Sequence, residues 1–371
     1  MHNRSFPIFP IGTVFKNLEE ISSTISLPKL KHNTVTVHFP MRLNGMSIDS
    51  SAIAFEGSTS FPAGEIFFSI KKFVSVTVRA TKDNDIHISN GYRRSSILRH
   101  ACLIMCKALK IEPSFDIEVI GDSVQIHSGF GTSGATIGAV CVAINEMYGN
   151  PIKRLDLIKY IANNYGEEIE NDNANIQLVQ CIGGSVASGL TAGGITIITG
   201  DATPIMSEPL ESEVIIGVPT DFYPKSARYM MELETQHLDN FEIHGQQHAY
   251  AIAYTLLHKG IPLLKNGDIS GICDIIYRHR FEMGSIKNCS FVFPRMIEIA
   301  DNIRYLYTNK LCRLLSMSSV GPAFFIIPDG NSRHEEICIK ALECQNLKVF
   351  KTSVFNRLYI ANYDKEGDLN D

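Results

Sequence analysis

Residues 125–149, QIHSGFGTSGATIGAVCVAINEMYG, constrain this chain more than any other stretch. From His127 to Gly134 they pack three glycines and three hydroxyl residues into eight positions, and the remainder has no Pro and is rich in Ala, Val and Ile. The pattern predicts a polar, glycine-rich turn feeding a buried helix. Glycines allow positive φ and close approach of a ligand to the backbone. The first turn of the helix offers N–H groups without intrahelical partners at the positive end of its dipole, an anion site. A phosphate there would sit on the main chain of Gly129, Gly131 and Gly134, with the Ser128, Thr132 and Ser133 hydroxyls adding donors or a metal contact. The alternative is a tight turn whose glycines only let helix and sheet pack. No Lys-Ser/Thr closes the loop, so it is not a P-loop; Gly129, Gly131 and Gly134 have Gly-x-Gly-x-x-Gly spacing, but the dinucleotide fingerprint also needs an acid about 20 positions on, and residues 147–154 hold none.

With 371 residues the chain is long enough for two domains, and 44% hydrophobic and 20% charged residues are those of a soluble globular protein. A net charge of −5 provides no long-range attraction for nucleic acid or an anionic membrane, which points to a small phosphorylated molecule as partner. No run of 18 apolar residues occurs, and prolines interrupt the N-terminus where a signal peptide needs an apolar core, so a cytoplasmic protein is expected. Nine cysteines without Cys-x-x-Cys spacing read as reduced core thiols.

Taken in order, residues 1–33 read as an N-terminal extension, 34–205 as a domain carrying the loop, and 206–371 as a second domain, with a Pro-containing linker over 201–213. Alternation predicts strands over 34–39, 53–55, 62–70, 73–80, 85–89 and 115–120, and a hairpin at Gly121-Asp122 leading to a strand over 124–127. Helical spacing predicts helices over 92–109 and 155–165, the first with Arg93, Arg94 and Arg99 on a solvated face. The acidic run 167–175 reads as a solvated helix or loop. In the second half, 214–219 reads as a buried strand, with helices over 227–238, 244–258, 268–282, 295–306 and 335–344. His244 and His248 share a helix face, but no third ligand accompanies them. Lys225 and Arg228 could add positive charge to a cleft.

Arg42, just past the first strand, can fork two donors onto a phosphate or carboxylate, and Asp49 can hold Mg²⁺ or orient Arg42; a structural Arg–Asp pair fits equally well. Glu65, beside Gly64, is placed to enter the same cleft.

Three segments then resemble one superfamily. The loop is similar to the Gly-Leu-Gly-Ser-Ser loop of the GHMP kinases, with Phe130 where Leu is usual, and His-Ser-Gly-Phe-Gly resembles the His-Ser-Gly-Leu-Gly of its beta-ribofuranosylaminobenzene 5'-phosphate synthase branch. Pro40, Arg42, Leu43 and Asp49 match that branch's segment after the first strand, with Asn44 in place of His. Ser318-Ser319-Val320-Gly321-Pro322 looks like its Ser-Ser-x-Gly-Pro-Thr motif.

The resemblance implies an α+β two-domain GHMP-type fold, with an N-terminal mixed-sheet α/β domain and a C-terminal ferredoxin-like domain. Kinases of the mevalonate type carry an Asp in the segment corresponding to 183–194, where this chain has no Asp or Glu. The expectation is therefore decarboxylating phosphoribosyl transfer from phosphoribosyl pyrophosphate to a carbon of an aromatic or heteroaromatic carboxylate. In that scheme Arg42 and Asp49 are catalytic, Asp49 and Glu65 hold Mg²⁺, the loop binds pyrophosphate, and Asn44, Glu65, Ser188, Gly189, Ser318, Ser319 and Gly321 line the substrate. The alternatives are a small-molecule kinase using ATP and Mg²⁺ and a non-catalytic ligand-binding homologue. Homodimerisation is common among such proteins.

Overall fold

Alternation in TVTVHF puts Val35, Val37 and Phe39 on one face of the first long strand, and all three are buried. The structure, a computed structural model, describes residues 7–21, 28–52, 63–89, 94–120, 128–169, 172–179 and 181–363. In chain order the strands are β1 (Ile8–Pro10), β2 (Thr34–Ser47), β3 (Glu65–Ala80), β4 (Ile86–Ile88), β5 (Phe115–Ile120), β6 (Gly166–Ile169), β7 (Asp172–Leu178), β8 (Ile195–Thr199), β9 (Thr203–Glu208), β10 (Glu213–Pro219), β11 (Leu314–Met317), β12 (Phe324–Ile327), β13 (Leu347–Ser353) and β14 (Ile360–Tyr363). The helices that shape the site are α1 (Ser95–Leu109), α2 (Thr132–Met147), α3 (Arg154–Asn163), α4 (Gly184–Leu190), α5 (Ala227–Gln236) and α6 (Leu238–Thr255).

The largest sheet runs β14-β2-β3-β5-β4, with β8 added beside the start of β3 and β9 beside β8. Its parallel β4/β5 pair among antiparallel neighbours makes it mixed. Every residue of α2 is buried, because the helix lies between this sheet and α1. The ring of Phe39 fills the space left at Gly138 and Gly189, where an added Cβ would come within 2.9 and 2.6 Å of it. A second sheet, β11-β12-β10-β13, is antiparallel throughout. It is covered on both faces, so β10 reads as the continuous apolar run VIIGV. Ile216, Phe325 and Ile327 join the core of the first sheet, while Ile215, Phe324 and Ile326 pack on Met296, Ile299, Cys338 and Leu342.

Several expectations change. The strands expected over 62–70 and 73–80 are one strand, β3, which bends where its pairing with β2 shifts between Pro40 and Met41. The acidic run 167–175 is a hairpin, β6 and β7, and β1 from the N-terminal extension adds to its edge. The linker over 201–213 contains β9, held on β8. The chain's last strand, β14, returns to pair with β2. The expected strands over 53–55 and 124–127 and the turn at Gly121-Asp122 lie outside the described residues. Among those residues no helix is long and apolar enough to cross a membrane.

Candidate active site

The glycine-rich turn delivers α2 as its composition requires. Gly129 and Gly131 adopt φ of +96° and +67°, and Gly131 is the N-cap residue of α2, with no side chain capping the helix. The crowding is severe: a Cβ at Gly129 would stand 2.5 Å from the Ser318 carbonyl, and one at Gly131 would stand 2.8 Å from Ser185 Cβ. Gly129, Gly131, Thr132, Ser133 and Gly134 face a cleft of about 310 Å³. The first-turn amides of a fully buried helix thus open onto space large enough for a phosphate group. Ser128 is buried and does not line the cleft.

The far end of β2 and the loop after β11 grip this turn. Ser318 Oγ donates to the Gly129 carbonyl at 2.6 Å and accepts from the Asn44 N–H at 3.0 Å. Arg42 Nη1 donates to the same carbonyl at 3.1 Å, while its buried Nε makes no hydrogen bond and faces Glu65 Oε1 at 3.9 Å. The Asn44 side-chain amide donates to Glu65, which is buried against Gly184. Arg280 closes the arrangement: Nε donates to the Gly45 carbonyl at 2.7 Å, Nη1 to Ser319 O at 3.0 Å and Ser285 Oγ at 3.2 Å, and Nη2 to Asn44 Oδ1 at 3.0 Å and Asn44 O at 3.4 Å. All of these acceptors are neutral. Burial, with the charge of Arg42 adding to it, pulls the Arg280 guanidinium down to about 10, so it stays charged at neutral pH. Two arginines share this wall with one carboxylate, Glu65, which leaves local positive potential for an anionic ligand.

Arg94, expected on a solvated face, is buried. Its Nη2 donates to Ser133 Oγ at 2.6 Å, Glu167 Oε2 at 2.8 Å and Glu168 Oε2 at 2.6 Å, and its Nε donates to Glu168 Oε1 at 2.8 Å. Tyr165 donates to Glu167 Oε1 at 2.8 Å. Burial raises the Glu167 carboxyl, and Arg94 holds that of Glu168 down against the opposing effect of burial. Arg94 balances the charged Glu168, and Glu167, pushed up to about 7 by burial, is the carboxyl left over next to Ser133 at the mouth of the glycine turn. Nothing in the helix periodicity of 92–109 separates Arg94 from the half-exposed Arg99; only the hairpin β6–β7 folding over α1 does so.

On the opposite side the cleft is walled by α5, α6 and residues 279–292. His244 Nδ1 sits 3.2 Å from Ser50 Oγ, whose proton goes to the Phe241 carbonyl at 2.8 Å. Nδ1 therefore carries the hydrogen, and Nε2 is a buried lone pair without a partner. His279 Nδ1 is likewise buried and unpartnered. Burial lowers His244 to about 4 and His279 well below its usual range, so both are neutral. Glu234 on α5 is pushed up to about 7 by burial. The sequence carried no spacing signal for Glu234, His279 or Arg280, which reach the cleft only through the packing of the second half.

Asn44, Glu65, Ser319 and Gly321 line the cleft. Asp49 does not: its Oδ1 accepts from the N–H and hydroxyl of Ser51 at 2.9 and 2.6 Å, in a turn packed against Gly245 of α6. Ser188 is buried and donates to the Pro40 carbonyl at 2.8 Å, Gly189 serves the Phe39 ring, and Ser318 acts on the loop from behind. Among the described residues no three His, Cys, Asp or Glu side chains cluster as a ready metal cage, and the His244–His248 contact, 4.9 Å between rings, is a pair.

Residues 96–181 match the sequence profile described as GHMP kinases N terminal domain. They include nearly all of α1, the loop, α2 and the β6–β7 hairpin, so the segment that builds the phosphate-sized turn is the one that matches this profile. Homoserine kinase of Methanococcus vannielii is 24% identical over 261 residues, covering 69% of this chain and 76% of that protein. The crystal structure of homoserine kinase from Cytophaga hutchinsonii superposes with a TM-score of 0.56 at 16% identity, over 91% of this chain and all of that one. L. major mevalonate kinase in complex with R-mevalonate gives 0.57 at 12% identity, over 89% and 99%. The mixed α/β fold is therefore GHMP-type. These matches overturn the expectation of phosphoribosyl transfer with phosphoribosyl pyrophosphate as co-substrate: the homologues found are named small-molecule kinases.

Proposed function

We propose that this chain is an ATP-dependent small-molecule kinase that moves the terminal phosphoryl group of ATP onto an acceptor held across the cleft. The observation that carries the reading is the uncapped, glycine-bounded start of α2 opening onto the cleft between two arginines and a pair of glutamates. In such transfers the protein chiefly positions the reactants and offsets charge. The amides of Thr132, Ser133 and Gly134 would hold phosphate oxygens, and Arg42 would face the charge that spreads over the transferred group. The terminal phosphorus–oxygen bond of ATP breaks, a bond to the acceptor oxygen forms, and ADP and a proton leave.

Mg²⁺ fits beside Ser133 and Glu167, because hard oxygen donors and a carboxylate whose charge burial disfavours suit a divalent cation. When bound it would neutralise phosphate charge there. The acceptor would enter from the α5–α6 side, where Phe241, Met230, Met231 and Phe291 give an apolar wall with Glu234 and His244 as polar contacts. We read the C-terminal half as ferredoxin-like, since β10, α-helices, β11, β12, helix Ser332–Glu343 and β13 follow in that order with the sheet running β13-β10-β12-β11.

The test is thermal unfolding with ATP, ADP or phosphoribosyl pyrophosphate, each with Mg²⁺, followed by ADP release across a panel of amino-acid and hydroxy-acid alcohols. Stabilisation by ATP at 100-fold above its dissociation constant should reach about 2.7 kcal/mol. Absence of any shift with ATP and ADP would remove the kinase reading.

A further inference from the structure

Phosphoryl transfer to an alcohol releases the hydroxyl proton, and a side chain beside the acceptor oxygen can take it. Residues 183–185 line the cleft at the start of α4, yet 183–194 contain no Asp or Glu. A carboxylate stands there nonetheless, delivered by another element. Glu65 opens β3, and its side chain crosses to α4, where a Cβ built on Gly184 would coincide with Glu65 Oε1. Only glycine at 184 leaves room for it.

The anion turn lies close by. A Cβ on Gly134 would run into Ser185 Oγ, and one on Gly131 would stand 2.8 Å from Ser185 Cβ and 3.4 Å from Arg42 Cζ. Arg42 therefore reaches from the first turn of α2 to Glu65, whose Oε1 is 3.9 Å from Arg42 Nε.

The two oxygens of Glu65 differ. Oε2 accepts from the Asn44 side-chain amide, while Oε1 receives no hydrogen bond from the described residues. Arg42 Nε, facing Oε1, is itself buried without a partner. A gap of 3.9 Å is too long for a hydrogen bond, but an oxygen about 2.9 Å from each atom fits across it. A hydroxyl there accepts from Nε–H and donates to Oε1, so both groups are satisfied. A cation is disfavoured at the same place by the adjacent guanidinium charge. A permanently bound water would fill the gap equally well, and activity tells the two apart.

We propose that Glu65 is the general base of the transfer, taking the proton of the acceptor hydroxyl at Oε1 while Arg42 Nε holds the hydroxyl oxygen and Asn44 fixes the carboxylate. The assignment rests on the kinase reading. As the acceptor oxygen bonds to the terminal phosphorus of ATP, the bond from that phosphorus to the departing ADP oxygen breaks. The hydroxyl proton passes to Oε1 and then to water. Arg42, Arg280 and Cys181 are the ionisable groups whose charge Glu65 meets.

The test measures ADP formation from ATP with Mg²⁺ by the full chain in excess, with water alone and with glycerol as a simple alcohol, alongside calorimetric ATP binding and melting. Glu65→Gln should slow ADP formation at least ~100-fold and remove the acid limb of its profile between about pH 5 and 9. Its ATP dissociation constant should stay within about threefold of the wild type, since a base acts on the acceptor and not on the nucleotide. Glu65→Asp should recover part of the rate. Gly184→Ala, whose methyl group displaces Oε1, should slow the reaction at least ~10-fold with ATP binding kept, which tests the assignment even where Glu65→Gln fails to fold. A rate for Glu65→Gln within about 10-fold of the wild type, a surviving acid limb, ATP binding lost with the carboxylate, or a wild-type chain that binds ATP and forms no ADP each overturns the proposal. A wild-type chain that binds no ATP removes the kinase reading itself, and this assignment with it.

Discussion

On the wall made by α2 and its turn, the cleft presents main chain: positive-φ glycines, uncapped amides and two small hydroxyl residues. On the facing wall, made by α6 and residues 279–292, it presents buried ionisable side chains, the charged Arg280 and the neutral His244 and His279 among them. The conformation of the first wall is set by six consecutive residues and their glycines, while Arg42 and Ser318 clasp it at the Gly129 carbonyl. The second depends on Arg280 reaching back more than 230 residues to Asn44 and Gly45. A site whose anion grip is backbone tolerates change in its side chains and none in its glycines. A site assembled from buried charge should show the opposite sensitivities.

The sharpest test of that contrast is Arg280→Met. It leaves Asn44 Oδ1 and the Ser319 carbonyl without their donor and takes one of two donors from the Gly45 and Asn44 carbonyls, and should destabilise the fold by roughly 2–6 kcal/mol in urea unfolding, at about 1–3 kcal/mol for each stranded group. A change below about 1 kcal/mol would show that the second wall is not held by Arg280.

Acid should act next. His100 on α1 accepts from the Gly12 N–H at Nδ1, 3.0 Å, and its Nε2 faces the Asn164 carbonyl at 2.7 Å, so it is buried neutral. Burial lowers it to about 4, with the nearby Lys107 charge adding to the effect against the Asn164 contact. A folded value below the unfolded one means that the unfolded chain binds more protons, so stability is complete above about 6.5 and is lost as pH falls toward 4. For His100 this amounts to roughly 3 kcal/mol, and His244 adds in the same window. His100→Gln should lower stability at pH 7 and flatten this slope; an unchanged slope would locate the acid sensitivity wholly in the second wall.

Gly131→Val should weaken ATP binding at least ~100-fold by calorimetry, from the added side chain and the φ of +67° together, at a fold cost of about 1–3 kcal/mol. Retained affinity would move the anion site away from the turn. The smallest effect belongs to Asp49→Asn, outside the cleft: a change of less than about 1 kcal/mol in stability and little in turnover.

Much of the first wall was legible in the chain. Glycine density, the Pro-free apolar stretch and the alternation in TVTVHF predicted turn, helix and strand, because each rests on neighbours in sequence. Arg94 was misread because its helix position is compatible with either face, and only the β6–β7 carboxylates decide it. Asp49 was assigned to the site because it matches the segment that carries Arg42, yet the backbone runs on beside residues 63 and 64 and its carboxylate satisfies Ser51. The transferase expectation failed for a related reason: short motifs around the loop describe how an anion is held, which chemistries sharing the turn have in common.

By itself the sequence determined the glycine turn, its hydroxyl residues, the buried helix behind it and most strands, since φ preference and side-chain periodicity act over a few residues. Tertiary structure alone decided which charges are buried, which histidines are neutral and which carboxylates face the cleft. Desolvation and pairing depend on what packs above a residue, and that neighbour comes from far along the chain.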